Sequence, residues 1–288
     1  MIRSVAALLD RLVDYAGLFP PAKLSMEQAA GNFARYRRSE HAFALGRFVV
    51  PASRLSELEA VSATAFDGWL LSALVATDAD LEAIAAFNTR NAGRARVDSI
   101  EMKVEAIDAI ERAASTIPTT LAVFFEIPPG GDLRTMLAEV RARHGHAKIR
   151  TGGITSDAFP TVSDIVRFIA ACAKDGVSFK ATAGLHHPLR CVRPLTYEPG
   201  SETGTMHGFV NLFLAAAVLR AGADEPTATR LMEDGAASSF TATDAGIAWR
   251  GTLVPVESIV EMRREFALSF GSCSFEEPIE ELRAIGWL

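Results

Sequence analysis

The chain of 288 residues holds only three cysteines, Cys172, Cys191 and Cys273, at no metal-ligand or redox spacing. That scarcity excludes a disulfide framework and reads as reduced thiols, so a cytoplasmic setting is expected. The formal charge of −6 comes with no basic tail or arginine-rich run, so nucleic acid is not an expected partner. No apolar run is long enough to span a membrane: Phe209 to Leu219 falls short of the roughly 20 residues required. The apolar start MIRSVAALLDRLVDYAG is interrupted by Asp10, Arg11 and Asp14 and lacks a small-residue cleavage site. It reads as a helix and not as a signal peptide. No Gly-x-Gly-x-x-Gly follows the first strand, and neither a His-x-His on that strand nor a His-Glu-x-x-His occurs. Dinucleotide binding and a zinc site thus lose their usual support, and neither cofactor nor metal is expected. Internal repeats, low-complexity stretches and a clear linker are also missing.

What is present is a core. Hydrophobic residues make up 49% and charged residues 22%, an ordinary balance for a large globular fold. Strand-like and helix-like segments alternate along the chain. An apolar run over 15–20 is followed by a helix over 25–38, a strand over 46–51 and a helix over 53–64. A third strand at 69–75 and a helix at 78–89 come next. Strands at 99–105 and 121–128 have helices at 106–114 and 133–144 after them. His146 to Gly153 and Val177 to Gly184 form strands six and seven, joined by a crossover helix within Phe159 to Lys174. Seven strand-helix units predict an α/β fold, a (β/α)8 barrel in one domain over 1–288, with its core at about 15–184. Beyond 184 the rhythm breaks into C-terminal helical and hairpin decorations. These comprise a loop over 185–206, a buried helix over 207–221, and helices at about 256–270 and 276–285. The segment 240–249 reads either as a hairpin or as a displaced eighth strand.

Polar residues inside the strands carry the functional signal. Alternate residues of a strand share a face, so Lys148 and Arg150 point together, as do Ser178, Lys180 and Thr182, and Glu101 with Lys103. If these faces point inward, the mouth holds Lys103, Lys148, Arg150 and Lys180 against Glu101 and Glu126. An excess of buried cations calls for a bound anion or a lysine that loses its proton. The alternative is an ion-pair lattice that only fills the barrel. Gly152, Gly153 and Gly184 at the strand ends allow backbone N–H groups to approach an anion. His186 and His187 follow strand seven and face the mouth; His207 and Asn211 lie one helical turn apart beyond the long loop. These four are expected to bind substrate oxygens or move protons. His144 and His146 precede strand six and belong to the opposite, structural end. The 185–206 loop, with Gly200 and Gly204 as hinges, reads as a lid or a partner contact.

Strand six with its Thr-Gly-Gly end and strand seven reading Phe-Lys-Ala-Thr-Ala-Gly resemble the paired motifs of the class I aldolase superfamily, particularly the deoxyribose-phosphate aldolase type. The resemblance spans about 40 residues. It implies a Schiff-base lysine on strand six and a second lysine on strand seven. Lys180 falls on the latter; Arg150 stands where the family's strand-six lysine is expected, with Lys148 one alternation earlier. Arginine stays protonated and forms no imine, so the amine comes from Lys180 or Lys148; Lys180, the lysine in register with the family motif, is the expected one, with Glu126 or Glu101 moving protons.

The expected function is therefore an enzyme, a lyase acting on a small anionic carbonyl compound, phosphorylated or not. Two alternatives stay open: a phosphoribosyltransferase- or isomerase-like barrel that binds phosphate without an imine, and a non-catalytic binding or scaffold barrel. Assembly as a homo-oligomer is also open.

Overall fold

The computed structural model describes residues 1–62, 64–128 and 130–288, apart from the side chains of 114 and 115. Eight short segments form parallel strands. They are β1 (Val13–Tyr15), β2 (Leu45–Pro51), β3 (Trp69–Leu74), β4 (Ala95–Lys103), β5 (Ala122–Glu126), β6 (His146–Arg150), β7 (Phe179–Thr182) and, last in the chain, β13 (Ala267–Ser272). Their spatial order is β1-β13-β7-β6-β5-β4-β3-β2, and β1 also pairs with β2, which closes the barrel. Helices cover the outside: α1 (Arg3–Leu9), α2 (Met26–Tyr36), α3 (Leu55–Ser62), α4 (Asp78–Arg90), α5 (Ile107–Thr116), α6 (Leu133–Ala142), α7 (Val162–Asp175), α8 (Phe209–Arg220), α9 (Glu225–Glu233), α10 (Val256–Glu265) and α11 (Glu276–Ala284). Outward-facing apolar side chains of the strands, such as Phe179 against Phe168 of α7, pack the barrel onto this ring. The crossover helix α7 starts at a Thr161–Asp164 capping box and stops at Gly176, whose φ of 64° suits glycine.

The eighth strand is not where the sequence suggests. The segment 240–249 forms a hairpin, β10 (Phe240–Thr243) with β11 (Gly246–Trp249), extended by β12 (Thr252–Pro255) into an antiparallel sheet separate from the barrel. The true eighth strand, β13, begins inside the helix expected over 256–270 and runs into the turn expected after it. Helix α10 gives way to β13 within one residue, Phe266, and no glycine or proline marks the change. Arg263 makes the junction possible: its buried guanidinium donates to the carbonyls of Leu8, Asp10 and Ala267. The N-terminal helix likewise ends early. Arg11 turns the chain at φ 48°, and β1 begins at Val13 inside the expected helix.

The 185–206 segment is more ordered than its composition suggests. Within it β8 (Cys191–Pro194) pairs with β9 (Thr203–Met206), and Gly204 sits in β9 against Leu195 rather than at a hinge. The apolar run at 209–219 is α8, buried on all sides, with Phe209 stacked on Phe270 of β13. No helix among the described residues is long and apolar enough to cross a membrane. The predicted helix end at Thr64 spans position 63, which lies outside the described residues.

Asn211, expected to reach substrate, is instead a structural clasp. It is fully buried; its Oδ1 accepts from Arg190 N at 3.0 Å, and its Nδ2 donates to Leu231 O and Asp234 O at 2.7 and 2.8 Å. Asn211→Ala leaves three buried backbone groups without that partner and is expected to lower unfolding free energy by about 2–4 kcal/mol. Urea denaturation measures this, and a change under about 0.5 kcal/mol would contradict the clasp.

Candidate active site

Strand alternation builds a row of charges across the barrel interior. Lys148 and Lys180 are neighbours in register on β6 and β7, and Lys148 is likewise opposite Glu126 of β5. Glu101 of β4 joins the two lysines: its Oε1 accepts from Lys180 Nζ at 2.7 Å and its Oε2 lies 2.7 Å from Lys148 Nζ. Lys148 also meets Glu126 Oε2 at 2.7 Å, and Arg150 Nε reaches Glu126 Oε1 at 3.4 Å. At the other end Lys180 donates to Asp14 Oδ2 at 2.6 Å. Hydroxyls complete the carboxylates: Ser72 donates to Glu101 and Ser269 to Asp14. The row reads Arg150, Glu126, Lys148, Glu101, Lys180, Asp14, with signs alternating throughout.

Two corrections change the expected charge count. Lys103 is 72% exposed and pairs with Glu105 in solvent. It closes β4, so the alternation that aims Glu101 inward carries Lys103 past the top of the strand. Asp14, read as an interruption of the first helix, is fully buried in β1 and enters the row. Three cations thus face three carboxylates, rather than four facing two, and no unpaired charge is left to demand an anion.

The titration behaviour follows from this pairing. Burial alone would push Lys180 down, but the Asp14 and Glu101 carboxylates outweigh it and raise it above the ordinary lysine value. Burial likewise works against Asp14, Glu101 and Glu126, yet the adjacent cations hold all three below the usual carboxylate range. In the resting protein Lys180 is an ammonium and its partners are carboxylates.

Above the row is a cavity of about 210 Å³, bordered by Glu101, Lys148, Arg150, Thr182, His186 and Cys273 among others. Small residues keep it open. Gly153, Gly184 and Gly271 stand at the strand ends where larger side chains would fill the barrel. Lys180 does not border the cavity; at 1% exposed it lies beneath, with the Phe124 ring 5.2 Å from its Nζ. Lys148, at 5%, is the lysine that the cavity reaches.

The glycines at the strand ends answer first to packing. A Cβ on Gly152 would lie 2.9 Å from Gly184 Cα and 2.5 Å from the Phe159 ring, so close approach of the β6 and β7 ends fixes both positions. Gly184 also has φ 73°, following Ala183 at φ 63°, and Thr151 Oγ1 donates to Ala183 O at 2.6 Å to hold that turn. Among the histidines, His186 borders the cavity and its Nδ1 is 2.9 Å from Glu277 Oε2. His187 faces a neighbouring surface cleft, with Nδ1 2.7 Å from Glu281. His207 lies apart, its Nε2 donating to Pro160 O at 3.0 Å, and burial lowers its proton affinity. His146 plugs the N-terminal end, stacked on Phe124 and bonded to Ser178.

Sequence reasoning missed Asp14, Ser72, Ser269 and Cys273. The signal for Asp14 was a lone carboxylate between Val13 and Tyr15 once that triplet is read as extended. The other three required β3 inner-face alternation and a strand whose position was unknown.

A shared carboxylate has a cost when removed. Glu101→Gln leaves Lys148 and Lys180 short of a buried partner and is expected to destabilise by about 3–5 kcal/mol. Because the folded carboxylates titrate below their unfolded value of about 4, their stabilisation is complete above that pH and is lost progressively as pH falls from it through their lower folded values. The melting temperature should therefore fall steeply below about pH 4, and Glu101→Gln should shallow that acid limb. Parallel acid limbs for the two proteins would contradict the coupling.

No protein-family model matches the chain, and no curated protein matches it significantly. Among solved structures, a deoxyribose phosphate aldolase from Aeropyrum pernix, described as a tetramer, aligns at 14% identity over 65% of this chain and 86% of its own, with a TM-score of 0.42. A Coccidioides immitis chain proposed to be a deoxyribose-phosphate aldolase aligns at 12% identity over 96% of this chain and 87% of its own, with a TM-score of 0.37. At these scores neither adds to what the strand order itself establishes, a closed parallel (β/α)8 barrel.

Proposed function

We propose that the protein is a class I aldolase-like lyase acting on a small anionic carbonyl compound, with Lys148 as the imine-forming amine. The observation that carries this reading is a pair of buried lysines in register that share one carboxylate, only one of which borders a cavity at the C-terminal mouth of the barrel. Active sites of such barrels lie at that mouth. Lys180, beneath Lys148, serves as a fixed ammonium that orients Glu101. Arg150, about half exposed, is placed to take the anionic group of the substrate.

The row supplies a route for the proton that Lys148 must lose. Arg150 is one of the cations that hold Glu126 low. When a substrate anion draws Arg150 away, the proton affinity of Glu126 rises, and the Lys148 proton passes to it. The Nζ lone pair then forms the N–C bond, the carbonyl π pair moves to oxygen, and Glu126 returns the proton there. Passage of a proton from the nitrogen to that hydroxyl and loss of water then give the protonated imine. Glu101, between two ammoniums, keeps its charge throughout.

A second reading, a non-catalytic barrel, is favoured by one observation: every cation of the row has a carboxylate partner. The plain phosphate-binding alternative has weaker support, because packing alone accounts for Gly152 and Gly184.

Borohydride reduction with pyruvate or glyceraldehyde 3-phosphate separates these readings. A stable adduct on the Lys148 peptide is expected, abolished in Lys148→Arg and retained in Lys180→Arg, whose turnover falls at least about 10-fold. An adduct on Lys180 would exchange the two roles. Absence of any adduct with a panel of small ketones and aldehydes would sink the imine reading in favour of the non-catalytic barrel.

A further inference from the structure

At the rim of the same mouth lies a second reactive cluster that imine chemistry does not use. Cys273 directly follows β13 and continues the inward face of Ser269 and Gly271. Its Sγ is buried and borders the cavity that Lys148 and Arg150 border. His186 Nε2 stands 4.0 Å from that sulfur, and His186 Nδ1 is 2.9 Å from Glu277 Oε2 on α11. Tyr197, carried between β8 and β9, donates to the same Glu277 oxygen at 3.1 Å, with its Oη 3.7 Å from Sγ. Thiol, imidazole and carboxylate stand in the order of a nucleophile, its base and the group that orients the base.

We infer that Cys273, His186 and Glu277 form a nucleophilic thiol site that reversibly captures the carbonyl carbon of a small aldehyde bearing an anionic group. The aldehyde class follows from the neighbours. Arg150 on the same cavity wall offers a partner for an anionic group, and the cavity volume of about 210 Å³ suits a ligand of a few carbons. Addition to an aldehyde needs only a proton, which His186 holds; no further group is required to accept a departing alcohol or amine. With the Cys273 proton already held on His186 Nε2, the Sγ lone pair forms the S–C bond, the carbonyl π pair moves to oxygen, and that Nε2 proton passes to the oxygen. No electrons are gained or lost, and reversal releases the aldehyde and restores the pair.

The electrostatics agree. Burial would push His186 down, but its bonds to Cys273 and Glu277 outweigh this and push it up to about 10, so the ring carries both protons at neutral pH. Burial opposes the Glu277 carboxylate, and the His186 ring holds it low nonetheless. Burial and the neighbouring thiol and carboxylate raise Tyr197, which stays a phenol and a donor. Among the described residues the other titratable groups near the cluster are Tyr15, with Glu276 beside it, and the His187–Glu281 pair, with Glu101, Lys148 and Arg150 across the cavity. Among the described residues the remaining thiols have no such base: burial raises Cys172 well above the ordinary value and Cys191 to about 11. They are built-in references.

The capture site needs no imine, so its test is read on sulfur. The full chain is treated with limiting iodoacetamide at pH 7, and the three cysteine peptides are quantified by mass spectrometry. Cys273 is expected to react at least about 10-fold faster than Cys191, and His186→Asn should erase that advantage while leaving Cys191 unchanged. Glyoxylate should slow Cys273 labelling where acetate, of equal charge, does not. The same protection in Lys148→Arg separates thiol addition from imine formation. Equal rates at Cys273 and Cys191 in the unmodified sequence would overturn the proposal without any variant. So would indifference of Cys273 to His186→Asn, or identical effects of glyoxylate and acetate.

Discussion

A single carboxylate shared by two ammonium groups constrains the interior of this barrel. Isolated charges of this kind cost many kilocalories per mole to strip of water. Glu101 resolves the problem for Lys148 and Lys180 together, and Asp14 and Glu126 complete the outer coordination of each. The consequence is interdependence: displacing one member changes the pairing of every other. Such a row fixes strand register as firmly as apolar packing does, because a one-residue slip of β6 or β7 would turn its lysine out of the barrel and leave a carboxylate bare.

That same interdependence makes the row responsive at one end. Lys180 and Asp14 are sealed below, while Lys148 and Arg150 border the cavity and Arg150 reaches solvent. Arg150 is paired only through Glu126, which in turn contacts Lys148, so a change at the exposed end is passed to Lys148 through that carboxylate. Burial is graded along a line of six side chains, from Arg150, about half exposed, to Lys180 and Asp14, which are sealed.

The parts of this arrangement legible in the sequence were those on strands with clear apolar alternation and glycine ends. Lys148, Arg150, Lys180, Glu101 and Glu126 were all found that way, and the barrel itself followed from seven strand-helix units. Lys103 shows the limit of alternation, which tells the face of a residue and not whether the strand still has neighbours at its height. Asp14 and Cys273 were hidden for a different reason. Their strands adjoin helices without glycine or proline between, at Arg11 and at Phe266, so the period changes with no local marker. What specifies both junctions is tertiary: the Arg263 guanidinium gathers carbonyls from Leu8, Asp10 and Ala267, residues far apart in the chain.

The place of β13 bears on how the barrel assembles. It lies between β1 and β7, yet it is made after every other barrel strand. Until it inserts, the sheet is an open curl with two bare edges, and Asp14 and Lys180 stand on opposite sides of the gap that Ser269 will bridge. The most deeply buried ion pair therefore cannot be enclosed until β13 is in place, and the strand that seals it also carries Cys273 to the mouth. Synthesis of the chain therefore leaves a long interval in which the edges need protection from other strands, while neither lysine has its final environment.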